Sequence, residues 1–315
     1  MCGLSQERNF SAIVCTHNRY DILPAAIDSI LKQNLSPLEL IVVDNSPDAA
    51  AAQAFGARYR GSEKIGYVHE PAEGLSQARN TGVALARGDI VAFLDDDAAA
   101  EPGWAGALLR AFAGFPNAGC AGGRVVPRWR APRPRWLDRE LLGYLSIVDW
   151  GGSLREIEPG EWLAGCNIAY DRRALLDAGG FPVSLGRKGE GASLLSNEEA
   201  LVNRTLRSRG KVVVYAPEAV VRHRIPPGRL TQEWFLRRAA WQAVSDFIAF
   251  SSPPEKRARI ETKLVSLLGS AARLKWRMND LRASVLERLN REPKLIENLD
   301  AEGGDFLKAS LQIKF

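Results

Sequence analysis

Short β-branched runs alternate with amphipathic segments along the first hundred residues. SAIVCT (11 to 16) and LELIVVD (38 to 44) flank DILPAAIDSILKQ (21 to 33); IGYVHE (65 to 70) and IVAFLD (90 to 95) flank the helix-like GLSQARNTGVALARG. This rhythm predicts βαβ units and an α/β fold built on a parallel sheet. Each strand ends in polar residues, and in open parallel sheets ligands bind beyond the carboxyl ends of the strands. Thr16 to Arg19, Asp44 to Ser46 and Asp95 to Asp97 are therefore expected to converge on one crevice. Neither a GxGxxG nor a GxxxxGK(S/T) loop follows the first strand, which argues against dinucleotide-binding and P-loop versions of the architecture.

From about residue 124 to 225 the texture changes to a Pro/Arg stretch, a Trp/Gly-rich stretch, a helix from Arg172 to Ala178 stopped by Gly179 and Gly180, and a further helix from Glu198 to Arg209 before the strand KVVVYAPEAVVRH. Beyond Pro253 and Pro254, Ile260, Leu264, Leu267, Ala271, Leu274, Met278, Leu281 and Val285 step by four and three, the seam of a long helix or helical hairpin. That seam is expected to pack on the main domain or on a second copy of the chain. The organisation read from the sequence is thus residues 1–123, the first half of an α/β domain; 124–225, the second half of the same domain; and 226–315, a helical extension.

Composition adds limits. With 315 residues and 46% apolar content, the chain can bury a substantial core. Cys2, Cys15, Cys120 and Cys166 are far apart and make no CxxC pair, which points to free thiols in a reducing compartment. MCGLSQERNF lacks an apolar run after its charges, and no apolar stretch reaches the roughly 18 residues of a span, so neither a secretory signal nor a membrane helix is expected. The net charge is +5, and residues 124 to 139 hold six arginines against one aspartate. That stretch is a candidate for anion or membrane-surface contact, with a solvated Pro/Arg loop as the alternative. A cytoplasmic location follows, with peripheral contact at the inner membrane face through 124–139 as a further expectation; no nucleic-acid partner is expected.

The chemistry concentrates in FLDDDAAAEP, where three aspartates follow an apolar run. Three adjacent carboxylates repel one another unless solvent, an arginine, a metal or a substrate offsets the charge. If the chain stays extended, alternation puts Asp95 and Asp97 on one side and Asp96 on the other.

VCTHNR, IVVDNS, GLSQARNTG, FLDDD, GCNIAY with GGF, and SNEEALVNRTLRSRG occur in the order seen in family 2 of the glycosyltransferases, and over residues 8 to 225 the chain resembles that family. The resemblance implies the GT-A fold and a nucleoside diphosphate sugar as donor, uridine by default. It implies that Thr16 and His17 hold the base together with Arg19 on the same turn, that Asp44 accepts a base N–H, and that Arg79 projects to the diphosphate. The three aspartates correspond to the family's Asp-X-Asp motif. Asp97 would ligate a divalent metal, Mn2+ or Mg2+, with His223 as a second metal or diphosphate contact, while Asp95 or Asp96 holds the ribose. Glu199, in the place of a more common aspartate, would be the catalytic base, and Glu198 would complement the helix dipole. Trp162 and Gly165 would form the acceptor side, with Gly165 permitting close approach.

The resemblance further implies an inverting transfer to an acceptor hydroxyl in polysaccharide or lipid-linked glycan assembly. Arg224, Arg229, Arg237 and Arg238 are additional candidate phosphate clamps. Two other readings compete: a nucleotidyltransferase, which should carry a glycine-rich Lys/Arg loop after the first strand, and a catalytically silent binding or assembly module centred on the helical seam.

Overall fold

The protein is described here by a computed structural model covering residues 8–36, 38–189, 194–250 and 270–298. Nine strands form one sheet in the order β3-β2-β1-β4-β8-β6-β9-β5, with β7 also paired to β9. β1 (Phe10–Thr16), β2 (Leu38–Asp44), β3 (Ile65–His69) and β4 (Ile90–Asp95) run parallel, as the βαβ rhythm predicts. Their crossovers are α1 (Leu23–Leu31), α2 (Ala49–Gly56) and α3 (Leu75–Leu85). β8 (Asn167–Asp171) joins β4 antiparallel and β6 (Ala118–Trp129) joins β8 antiparallel. β9 (Val212–Ile225) pairs antiparallel with β5 (Ala98–Ala100) and β7 (Arg155–Glu156). The sheet is therefore mixed, parallel only where a helix carries the chain back to the start of the next strand.

Local sequence explains the elements that place the site. β1 and β4 are buried along nearly their whole length, the signature of central strands covered on both faces. Leu23, Ala26, Ile27 and Ile30 form the buried stripe of α1, and Pro24 occupies its first turn, where a missing N–H is harmless. Asp48 caps α2 by accepting from the N–H groups of Ala50 and Ala51. α4 (Trp104–Gly114) buries Trp104, whose indole N–H donates to Asn167 Oδ1 at 2.8 Å. The same Asn167 amide donates to the carbonyls of Arg124 (2.9 Å) and Ala219 (2.7 Å), so one buried side chain ties α4 to β6 and β9. α5 (Arg172–Asp177) and α6 (Glu198–Ser208) complete this part.

The chain divides into two compact units. The first comprises residues 1–128, 146–183 and 199–224 and carries the main core. The second comprises 129–145, 184–198 and 225–315. Within the second, α7 (Gln232–Phe250) packs on α8 (Ser270–Arg291): Ala240, Trp241 and Val244 meet Val285, Leu286 and Leu289. Leu274, Met278 and Val285 of the predicted seam are buried, and Leu281 packs partly buried beside them. Ile260, Leu264 and Leu267 lie outside the described residues. α7 of the same chain thus takes up the α8 seam.

The basic stretch divides as well. Residues up to Trp129 belong to β6, where Arg124 pairs with Asp149. Arg133 turns back to the Leu137 carbonyl and Trp136 packs edge-on against Phe235, while Arg128, Arg130, Arg135 and Arg139 are exposed. No described helix is long and apolar enough to cross a membrane.

Asn167→Ala leaves an indole N–H and two carbonyls buried without partners, at about 1–3 kcal/mol each before relaxation. The expected outcome is a fall in melting temperature of several degrees, read by calorimetry; an unchanged transition would show that Asn167 does not hold these elements together.

Candidate active site

The parallel strands deliver their polar ends to one place, as expected. On the β2 side, Asp44 is fully buried and its carboxylate accepts four hydrogen bonds: from Tyr20 (2.9 Å) and Tyr67 (2.5 Å) hydroxyls at Oδ2, and from the Ser46 N–H (3.0 Å) and hydroxyl (2.5 Å) at Oδ1. Partial burial and the carboxylate beside it hold the Tyr67 phenol above its ordinary pKa, which keeps it a donor. Asp44 was expected to accept from a base N–H; here internal donors already surround it, and it fixes the loop after β2. Asn45 continues that loop, donating to the carbonyls of Glu70 and Ala72 and accepting from the Gly74 N–H. His17 Nδ1 donates to the Asn45 carbonyl at 2.8 Å, which fixes the ring and leaves Nε2 as the acceptor nitrogen. His69 donates through Nε2 to the Ser46 carbonyl. A cavity of about 320 Å³ lies against α2 and β3, lined by Gln53, Tyr59, Arg60, Tyr67 and His69 among others.

Strand β4 stops at Asp95, and Asp96 and Asp97 lie in a turn before β5. The alternation expected of an extended chain therefore fails. Arg19 NH1 contacts both Asp96 (2.9 Å) and Asp97 (3.1 Å), which puts these two on one guanidinium. Asp96 also accepts from the Thr16 hydroxyl at 2.8 Å. Burial raises the Asp96 pKa to about 7 despite the opposing Arg19 charge, and the neighbouring Asp97 adds to the rise. Asp97 faces His223 across the β5–β9 ladder, with Nε2 3.3 Å from Oδ1 and both side chains buried. Asp95 lies 3.6 Å from Arg79 NH2.

Arg79 donates through NH1 to Glu199 Oε1 at 2.9 Å and is only 2% exposed. It was expected to project toward a diphosphate; in the structure its guanidinium is buried and faces two carboxylates. It joins the start of α6 to the end of β4, residues distant in the chain. Gly165 lies against this contact: a Cβ there would overlap Glu199 Oε1 and come within 2.6 Å of Arg79 NH2. Trp162 is 36% exposed, and its carbonyl accepts from the Trp150 indole. Arg238, a candidate phosphate clamp, instead donates within the second unit to Ser196 and Gln242. Cys15, Cys120 and Cys166 are free thiols, and burial pushes Cys15 up to about 12, away from reactivity.

Among the described residues no group of three His, Cys, Asp or Glu side chains is arranged to enclose a metal. Asp97 and His223 supply one carboxylate and one imidazole, a donor pair compatible with a divalent ion whose other positions are filled by phosphate oxygens and water.

Residues 11–176 match Glycosyl transferase family 2, more than half of the chain. The chain belongs to this family. It is 30% identical over 237 residues to the glucosyl-dolichyl phosphate glucuronosyltransferase of Haloferax volcanii, covering 75% of each chain. It is 29% identical over 232 residues to the succinoglycan biosynthesis protein ExoM of Rhizobium meliloti, covering 71% of this chain and 70% of that one. Among solved structures it resembles a Pyrobaculum calidifontis mannosyltransferase in complex with GDP-Man and Mn2+, with a TM-score of 0.56 at 20% identity over 98% of this chain and 83% of that one. The GT-A fold and a glycosyltransferase activity follow.

Tyr20, Tyr67 and Asn45 were not singled out from the sequence. Ile65, Tyr67 and His69 share one face of β3, and a tyrosine there with a polar tip beside a buried aspartate is the signal that could have found it.

Gly165→Ala is expected to displace the Glu199 carboxylate and lower sugar transfer by about 10²-fold, the scale of an ångström-sized misplacement. Steady-state kinetics check it; normal transfer would contradict the packing.

Proposed function

We propose that this glycosyltransferase is inverting and metal-dependent, moving a sugar from a nucleoside diphosphate sugar to an acceptor hydroxyl in the assembly of a polysaccharide or lipid-linked glycan. The observation that carries the reading is the double contact of Arg79, which brings Glu199 to the strand-end aspartates that include Asp97. A base and a diphosphate site are then within the reach of one sugar.

In this mechanism Glu199 takes the acceptor proton as the acceptor oxygen forms its bond to the anomeric carbon. The bond from that carbon to the diphosphate oxygen breaks, and its electron pair leaves with the diphosphate. A single displacement inverts the anomeric centre. Asp97 and His223 would hold the divalent ion, which when bound supplies positive charge against the departing diphosphate. Asp95 or Asp96 would hold the ribose, and Thr16, His17 and Arg19 would line the nucleotide side. Trp162 offers an apolar face for the acceptor sugar. The name of the Haloferax relative supports an acceptor carried on a lipid phosphate, and that of ExoM supports a polysaccharide.

A panel of nucleoside diphosphate sugars, led by uridine donors and assayed with Mn2+ or Mg2+, tests the assignment. Asp97→Asn is expected to lose metal-dependent donor binding. Glu199→Gln is expected to bind donor and to lose transfer by at least about 10²-fold. NMR of the product should show the anomeric configuration opposite to the donor's. Retention, or normal turnover by both variants, would refute the mechanism.

A further inference from the structure

Arg79 has a place in the site that the transfer step above does not use. Its guanidinium lies against an edge-to-face pair of aromatic rings, 5.7 Å from the Phe93 centroid and 5.4 Å from that of Phe181. An arginine cannot shed its charge, so one buried this deeply needs carboxylates beside it. Glu199 and Asp95 meet that need. For Glu199 the result is an asymmetric carboxylate. Oε1 accepts the Arg79 bond at 2.9 Å, while Oε2 has no hydrogen bond among the described residues. Gly165 closes the Oε1 side, since a Cβ there would overlap Oε1 and lie 2.7 Å from Glu199 Cδ. One oxygen is thus walled in by Arg79 and Gly165, and the other is left for chemistry. The Glu199 side chain is 15% exposed, enough for that one oxygen to meet an acceptor.

We propose that Arg79 is a positioning residue for the transfer: it anchors Glu199 through Oε1 so that Oε2 is presented to the acceptor hydroxyl. Arg79 itself touches no substrate. The inference rests on the reading of Glu199 as the base. It differs from a phosphate-binding role in what it makes Arg79 control, which is the rate of transfer and not the affinity for donor.

The test uses the full chain with Arg79→Lys and Arg79→Met, assayed with the nucleoside diphosphate sugar and acceptor that the wild type turns over in the panel above. Both variants should lower kcat, Arg79→Met by about 10²-fold and Arg79→Lys by less, because an ammonium can still reach Oε1. The donor KM should stay within about threefold, as expected when only transition-state geometry is lost. In a Glu199→Gln background, Arg79→Lys should cause no further loss of kcat, a readout that a merely structural role would not produce. If Arg79→Met does not fold, the Arg79→Lys arm and its double variant decide the question alone. A tenfold rise in donor KM with kcat retained would assign Arg79 to the diphosphate and overturn the inference, as would a further kcat loss in the Glu199→Gln background. Glu199→Gln turning over normally would remove the base reading and this inference with it. Glu199→Gln inactive beside an Arg79→Lys enzyme of normal kcat and KM would remove the inference alone.

Discussion

Carboxylate repulsion at the end of β4 is the constraint around which the site is organised. Asp95, Asp96, Asp97 and Glu199 stand against the guanidinium groups of Arg19 and Arg79 and the imidazole of His223. Two like charges about 4 Å apart repel by about 4 kcal/mol at an effective dielectric constant of 20, an amount comparable to the stability of a whole domain. The fold answers by bringing polar partners from different elements, each guanidinium facing two carboxylates. Arg19 comes from the turn after β1, Arg79 from α3 and His223 from β9. Burial raises the Asp96 pKa to about 7 and raises that of Asp95 as well. The same charges that must be balanced for folding are those that suit a divalent ion and a diphosphate.

The two sides of the site are held by different physics. At the end of β2, Asp44 and Asn45 are surrounded by neutral donors and acceptors of the chain itself. At the start of α6, Glu199 is held by a charged contact beside a glycine. A saturated polar network specifies one arrangement.

The second unit has its own logic. α7 and α8 bury an apolar seam against each other, and α7 turns a polar face inward, where Gln242 and Asp246 hold Asn197 in a left-handed conformation. Asn tolerates positive φ better than most residues, and its side chain here is fully engaged. The segment 196–197 is therefore shaped by hydrogen bonds from α7, part of what the sequence pattern reads as a helical extension.

Period-2 and period-3.6 patterning was enough to read β1 to β4, the stripe of α1 and the seam of α8, because these elements follow from which positions can be buried. Strand polarity beyond β4 was not legible, because antiparallel pairing leaves no mark on a strand's own sequence. The strand-end rule brought Thr16, Asp44 and Asp95 to one place, and the motif order placed Asp97, Glu199 and His223. Three things needed the tertiary structure. The break of β4 at Asp95 sets Asp96 beside Asp97, since strand ends depend on pairing partners. The donors around Asp44 come from α1's leading turn and from β3. The contacts of the buried Arg79 with Asp95 and Glu199 join the end of β4 to the start of α6, residues far apart in the chain. The chain's residue order determined which chemical groups reach the crevice; long-range contacts decided which of those groups neutralise one another and which remain to meet a substrate, because charge pairing depends on distances that only the folded chain sets.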